Sequence, residues 1–203
     1  VNTALDGRVN QLQHHMDQIN IALEGDFFEY IEGSAKVVSK NGVAVESEGT
    51  TQELAADYII LATGSRPRKL SHLSIDEEIV MTSDGLPKMN KFPKSIVILG
   101  AGVIGCEFAT IFSGFGQTKV HLIDKGDRIL PFEDEDVVRV VEKSLEERGV
   151  LIHRNSRLTD MKVVEGAVQY KLEYTDGSTE VFDVEKALIS VGRVPHYENL
   201  IDN

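Results

Sequence analysis

Ser95-Ile96-Val97-Ile98-Leu99-Gly100-Ala101-Gly102-Val103-Ile104-Gly105-Cys106-Glu107 is the stretch on which the fold turns. Its first five residues are an uncharged, largely apolar run that predicts a buried strand, and residues 103–115 continue as a helix. Between them stands a G-x-G-x-x-G turn, in the strand-to-helix context that gives this short motif its meaning. Gly100 permits the tight turn, Gly102 lets the backbone approach a pyrophosphate, and Gly105 lets helix and strand pack closely. A pyrophosphate would rest on amides at the positive end of the helix.

Working outward, residues 119–123 predict a second strand that ends in Asp124, a little over twenty residues beyond Gly100. An acid there accepts bonds from both hydroxyls of an adenosine ribose and repels a 2′-phosphate, which favours NAD over NADP. Lys125 and Arg128 lie close by as groups that would help an NADP-type contact. Glycine-rich turns also occur without a ligand. Strand, helix, spacing and acid together argue for a nucleotide site.

Residues 136–147 predict a helix ended by Gly149, and residues 150–153 a third strand, so β and α alternate as in a parallel sheet with right-handed crossovers. The period then changes to two. Residues 158–164, 168–174 and 179–184 read as an antiparallel meander with turns at Gly166 and Asp176-Gly177, and residues 186–191 as a strand that returns to the sheet and ends at Gly192-Arg193.

Upstream, Val1, Leu5, Val9, Leu12, Met16, Ile19 and Leu23 share one face of a helix that Gly25 ends. Short strands follow at 27–31, 36–39 and 43–46, with Gly33 and the Asn41-Gly42 pair as turns. Residues 58–62 form an apolar run expected to be a buried strand, stopping at Thr63-Gly64-Ser65-Arg66-Pro67. Residues 69–93, broken by Pro87 and Pro93, read as a connector. The fold class expected is α/β: a Rossmann-like, three-layer NAD-binding domain with a β-meander over 94–191, inserted in a partial domain formed by 1–93 and resumed at 192–203.

A net charge of −12 over 203 residues excludes nucleic acid and anionic membranes as main partners. The uncharged stretch 96–106 is shorter than the roughly 18–20 residues of a membrane span, and no secretory signal is visible, so a cytoplasmic setting is expected. The single cysteine, Cys106, excludes an internal disulfide and reads as a small apolar residue packed on the sheet. No metal-ligand cluster is read. Glu107 carries two readings: a carboxylate favoured by the helix dipole in the first turn, or a contact to a nicotinamide ribose.

Three motifs, Ala62-Thr63-Gly64-Ser65-Arg66-Pro67, Gly100 through Ala109, and Ser190-Val191-Gly192-Arg193-Val194-Pro195, resemble in order and spacing the class I flavoprotein pyridine nucleotide-disulfide oxidoreductases. The likeness is nearest to the dihydrolipoamide dehydrogenase and soluble pyridine nucleotide transhydrogenase branches. It covers the whole chain, whereas the chain covers the middle of the family's usual length. A second dinucleotide fingerprint, a redox cysteine pair, a further FAD-contacting aspartate and a dimerisation domain are not in these 203 residues.

The resemblance implies that residues 1–93 are a partial FAD-binding domain in which Gly33, Thr63, Gly64 and Ser65 touch FAD. It also implies that Gly100, Ala101, Gly102, Val103, Ile104, Gly105, Glu107, Asp124, Leu158 and Gly192 surround NAD, with Leu158 beside the adenine and Gly192 beside the nicotinamide. Read from the residues alone, Gly33 and Gly64 are equally turn glycines, Leu158 equally a core leucine, and Arg193 either a flavin-site residue or the partner of a nearby acid. The implied activity is hydride transfer between NAD(H) and FAD in a homodimeric enzyme acting on a small-molecule substrate, with no catalytic residue assignable in this chain and the chain alone inactive. Two other readings stand beside it: an NAD(P) transhydrogenase, which needs no redox cysteines, and a non-catalytic NAD-binding redox-sensing module.

Overall fold

A computed structural model describes residues 2–22 and 29–201. In chain order the elements are α1 (Asn2–Ala22), β1 (Ser34–Ser39), β2 (Gly42–Ser47), β3 (Thr50–Ala55), β4 (Ser65–Pro67), β5 (Val80–Met81), β6 (Ser95–Leu99), α2 (Val103–Gly114), β7 (Lys119–Ile123), α3 (Glu135–Glu147), β8 (Leu151–His153), β9 (Ser156–Val164), β10 (Ala167–Tyr174), β11 (Thr179–Val184), β12 (Lys186–Ile189) and β13 (Arg193–Pro195), with a 3-10 turn at Leu86–Lys88. They divide into two compact units. The larger contains Pro67–Arg193, the smaller Thr3–Arg66 with Val194–Asn203.

The larger unit is built on a parallel five-stranded sheet in the order β5-β12-β6-β7-β8. Because side chains alternate along a strand, each strand feeds two cores. Ile96 and Ile98 of β6 join Val120, Leu122 and Leu188 against Cys106, Ala109 and Phe112 of α2 and Val138 and Leu145 of α3. Val97, Ile123, Ala187 and Ile189 face the other way, onto Val168, Tyr170 and Leu172 of β10 and Val184 of β11. The architecture is therefore three-layered: helices, parallel sheet, and an antiparallel β11-β10-β9 meander. Ile96, Val97 and Ile98 are fully buried, and each contributes about 1.5–3 kcal/mol of hydrophobic burial.

Most boundaries in this unit fall where the sequence places them. The predicted connector 69–93 does not. It supplies β5, which pairs parallel with β12 through Ala187–Val80 and Leu188–Met81, and Met81 and Leu86 lie in the core. A two-residue strand between turns leaves no periodic signal, and its partner is over a hundred residues away. Asp76 Oδ1 organises the approach, accepting from the backbone N–H of Glu78, Ile79 and Val80 at 2.8, 2.8 and 3.0 Å. Residues 67–93 accordingly belong to the same compact unit as 94–191.

The smaller unit contains α1 and the antiparallel sheet β1-β2-β3. The hairpin turn comes one residue earlier than expected, at Lys40-Asn41, with Gly42 opening β2 opposite Ser39, and the Asn41 side chain donates to the Ala56 carbonyl at 2.8 Å. Strand β3 was not foreseen, because Thr50-Thr51-Gln52-Glu53-Leu54-Ala55 has no apolar alternation. Two other expectations fail. Of the predicted strand 27–31, residues 27 and 28 lie outside the described residues and 29–31 are irregular. The run 58–62 is not a buried strand: it is irregular, with Tyr58 and Ile60 each 89% exposed. In α1, Leu12, Met16 and Ile19 are likewise exposed, and Gly25 lies outside the described residues.

Candidate functional site

The larger unit carries a cleft of about 860 Å³ at the carboxyl end of its parallel strands. β7 lies on one side of β6 and β12 on the other, so this is a switch point of the sheet, where open α/β folds place their ligands. Leu99, Gly100, Gly102, Val103, Ile104, Asp124, Leu158 and Gly192 all line it.

The three fingerprint glycines behave differently. Gly100 has φ +100°, and a Cβ there would stand 2.6 Å from the Ser190 carbonyl oxygen. At Gly105 a Cβ would stand 1.9 Å from the Gly100 oxygen. At Gly102, the N-cap of α2, it would meet nothing within 4 Å. Two glycines are thus demanded by packing, and the third leaves its backbone open to the cleft. No side chain caps α2, so its first-turn N–H groups, which have no partner within the helix, can serve an anion.

Asp124 is held from both sides. Its Oδ2 accepts from the Ala101 N–H at 2.8 Å and its Oδ1 from the Gly126 N–H at 2.8 Å. Each oxygen keeps lone-pair capacity for a further donor. Ser190 braces the turn from β12: its Oγ lies 2.9 Å from the carbonyl oxygens of both Leu99 and Gly100. Sequence reasoning assigned Ser190 no role; only the pairing of β12 with β6 brings it there.

Three of the expected nucleotide residues do not line the cleft. Ala101 is fully buried and takes part through its backbone, and Gly105 is buried against the turn. Glu107 is exposed and is the fifth residue of α2, beyond the first turn in which the dipole reading placed it. Cys106 is buried, and burial, with Asp124 and Glu142 nearby, pushes its thiol up to about 12. It is no nucleophile at neutral pH. Arg193 donates to the Ser83 hydroxyl at 3.1 Å and lies 3.5 Å from Asp84, which favours the acid-partner reading. Lys125, named from the sequence as a candidate NADP-type contact, lines the cleft, and Phe132, Arg157 and Val191 join it without having been singled out.

In the smaller unit, Gly33 lies against β2, where a Cβ would stand 2.6 Å from the Glu46 carbonyl oxygen. The Thr63 hydroxyl donates to the His196 carbonyl. Gly64 has φ +74° with open space around it, and Ser65 is exposed. Gly33 and Thr63 are therefore engaged in the unit's own structure.

The family model for pyridine nucleotide-disulphide oxidoreductases matches residues 2–203. The chain belongs to that family. Members of it are flavoproteins that use nicotinamide nucleotides. A dihydrolipoyl dehydrogenase of Bacillus subtilis is 32% identical over 172 residues, covering 85% of this chain and 37% of the relative. A soluble pyridine nucleotide transhydrogenase of Mycobacterium bovis is 30% identical over 187 residues, covering 91% and 39%. Among solved structures of the family, LpdA from Mycobacterium tuberculosis superposes with a TM-score of 0.79 at 28% identity, over 96% of this chain and 43% of that one. The Cu(II) complex of a cysteine-to-serine mutant of the HOCl-induced flavoprotein disulfide reductase RclA from Escherichia coli gives 0.76 at 26% identity, over 96% of this chain and 43% of that one. The chain thus spans well under half the length of the family members it matches. Among the described residues no helix is long and apolar enough to cross a membrane.

Proposed function

We propose that Pro67–Arg193 is the NAD(H)-binding unit of an FAD-dependent oxidoreductase of the dihydrolipoamide dehydrogenase type, in which hydride passes between NAD(H) and FAD. The observation that carries this reading is the conjunction in one cleft of Gly102, open where a side chain would stand, the uncapped amides of α2 and the braced Asp124 carboxylate.

In this reading the first-turn N–H groups of α2 donate to the pyrophosphate oxygens, and Gly102 lets the backbone come close enough for them to do so. Asp124 accepts from the adenosine ribose hydroxyls. Leu158 lies against the adenine, and the Gly192 backbone, at φ +104°, lies beside the nicotinamide. Val103 and Val191 add apolar lining to the cleft. The bound nicotinamide supplies the hydride chemistry; the protein supplies position and electrostatics. Contacts from Gly33, Thr63, Gly64 and Ser65 to FAD rest on the family likeness alone, as do the homodimeric state and the small-molecule substrate of the whole protein. No residue of this chain is proposed as catalytic, and the chain alone is expected to bind NADH without turnover.

A second reading, transhydrogenation between NAD and NADP, gains support from Lys125 and Arg157, two cations that line the cleft with Asp124. Arg157 is paired with Glu173 at 2.7 Å, which offsets its charge, so NADH is the expected preference. Titration of the chain with NADH and NADPH, followed by nucleotide fluorescence, tests this. The expected result is about tenfold tighter binding of NADH, with the ratio collapsing toward one in Asp124→Ala. The ratio is informative even though that substitution also frees the Ala101 and Gly126 amides. Equal or tighter binding of NADPH by the unsubstituted chain would sink the NAD reading.

A further inference from the structure

Phe132 is the most exposed large apolar side chain described, at 98%, and it lines the cleft. Single exposed apolar residues are ordinary on protein surfaces. What sets this one apart is how firmly its loop is held. Ile129 and Leu130 immediately before it are buried in the core, with Leu130 at φ +46°. The Leu130 N–H donates to the Ala101 carbonyl at 2.8 Å, tying the loop to the glycine-rich turn. Arg128 Nη2 donates to the Pro131 carbonyl at 2.7 Å, and the Glu133 N–H donates to the Leu130 carbonyl at 3.0 Å, closing a turn whose apex is Pro131-Phe132. Directly after it, Asp134 caps α3 through the amides of Asp136 and Val137. An aromatic ring is therefore presented to solvent at the mouth of a cleft by a segment anchored on both sides.

The loop leaves β7 at Asp124 and leads into α3, so it belongs to the β7 side of the switch point. That is the side of Asp124 and Lys125, opposite the β12 side that carries Gly192. We propose that Phe132 is a contact residue for the adenosine half of the nucleotide, its ring packing on the adenosine moiety held by Asp124. The inference rests on the nucleotide reading of the cleft. It adds to that reading an apolar, sequence-tolerant term of the kind aromatic side chains supply to bases.

The chain has no tryptophan, so Phe132→Trp gives a single reporter at the site. The test measures NADH and ADP binding by calorimetry to the unsubstituted chain, to Phe132→Ala and to Phe132→Trp. Since the side chain is almost wholly exposed, both variants are expected to keep the melting temperature. The expected result is about tenfold weaker binding of both NADH and ADP by Phe132→Ala, with affinity kept and indole fluorescence quenched in Phe132→Trp. Unchanged affinity in Phe132→Ala, with NADH still bound by the parent chain, overturns the inference and leaves the nucleotide reading standing. Weaker NADH with unchanged ADP contradicts the adenosine placement. If the parent chain binds neither probe, the nucleotide reading itself fails, and the inference falls with it.

Discussion

Gly102 and Gly105 stand three residues apart, and one added carbon has opposite consequences at each. A Cβ at 105 would lie 1.9 Å from the Gly100 carbonyl oxygen, so α2 must shift away from the turn. Gly105→Ala is expected to cost about 3 kcal/mol, lowering the melting temperature by on the order of 10 °C. A Cβ at 102 meets nothing within 4 Å, and the residue's φ of −77° suits alanine. Gly102→Ala should melt within about 1 °C of the parent, while its methyl occupies the backbone approach and NADH affinity falls at least tenfold. Thermal melts and titrations of both variants check this, and the reverse pattern would remove the physical basis of the fingerprint assignment. The roles of these glycines were legible because the motif names positions, not partners. Ser190 and Phe132 were not legible: what matters about them is the pairing of distant strands and the exposure of a loop apex, and neither leaves a local pattern.

At the scale of elements, the interface between the parallel sheet and the meander contains two tyrosine–histidine hydrogen bonds, one buried and one half-buried, that periodicity could not announce. Tyr170 of β10 hydrogen-bonds His121 Nδ1 of β7 at 2.7 Å, and Tyr174 hydrogen-bonds His153 Nδ1 of β8 at 2.8 Å while donating to Glu180 at 2.6 Å. Since the Tyr174 proton goes to Glu180, His153 Nδ1 is the donor in its pair, and its buried Nε2 is left without a partner. Burial holds the His121 imidazole down at about 4, with His153 and Lys119 adding to the effect, and burial lowers His153 too. Both rings are thus neutral in the fold at neutral pH. As pH falls below about 6.5 the unfolded chain takes up protons that the native His121 refuses until about 4. Stability present above pH 6.5 is therefore lost progressively toward pH 4. Denaturant melts at pH 7.5 and pH 5 should show the loss, and His121→Asn, whose Oδ1 can still accept from Tyr170, should show less of it. An equal loss in both would assign the pH dependence elsewhere.

The same scale explains which elements the sequence revealed. β6 and β7 were readable because largely apolar runs between polar ends have few other uses, and α3 because Gly149, at φ +81°, follows its end. Residues 58–62 offered an equally apolar run, yet Tyr58 and Ile60 are exposed. Apolar composition states what a segment would bury, and only the packing partner decides whether it does.

On the scale of the whole molecule, one of the two units is accounted for from residue to site. Pro67–Arg193 builds its own three-layer core and its own cleft, and every step of the nucleotide reading lies within it. The smaller unit holds the FAD expectation on family likeness alone, and the chain matches 37% of the length of one relative and 39% of another. The central claim is that the cleft at the carboxyl end of β6 holds NAD(H), and amide chemical-shift mapping of the 22.4 kDa chain during an NADH titration tests it most directly. The account predicts the largest shifts at Gly100, Gly102, Val103, Ile104, Asp124, Leu158 and Gly192. Shifts centred on other residues, or none at saturating NADH, would contradict it.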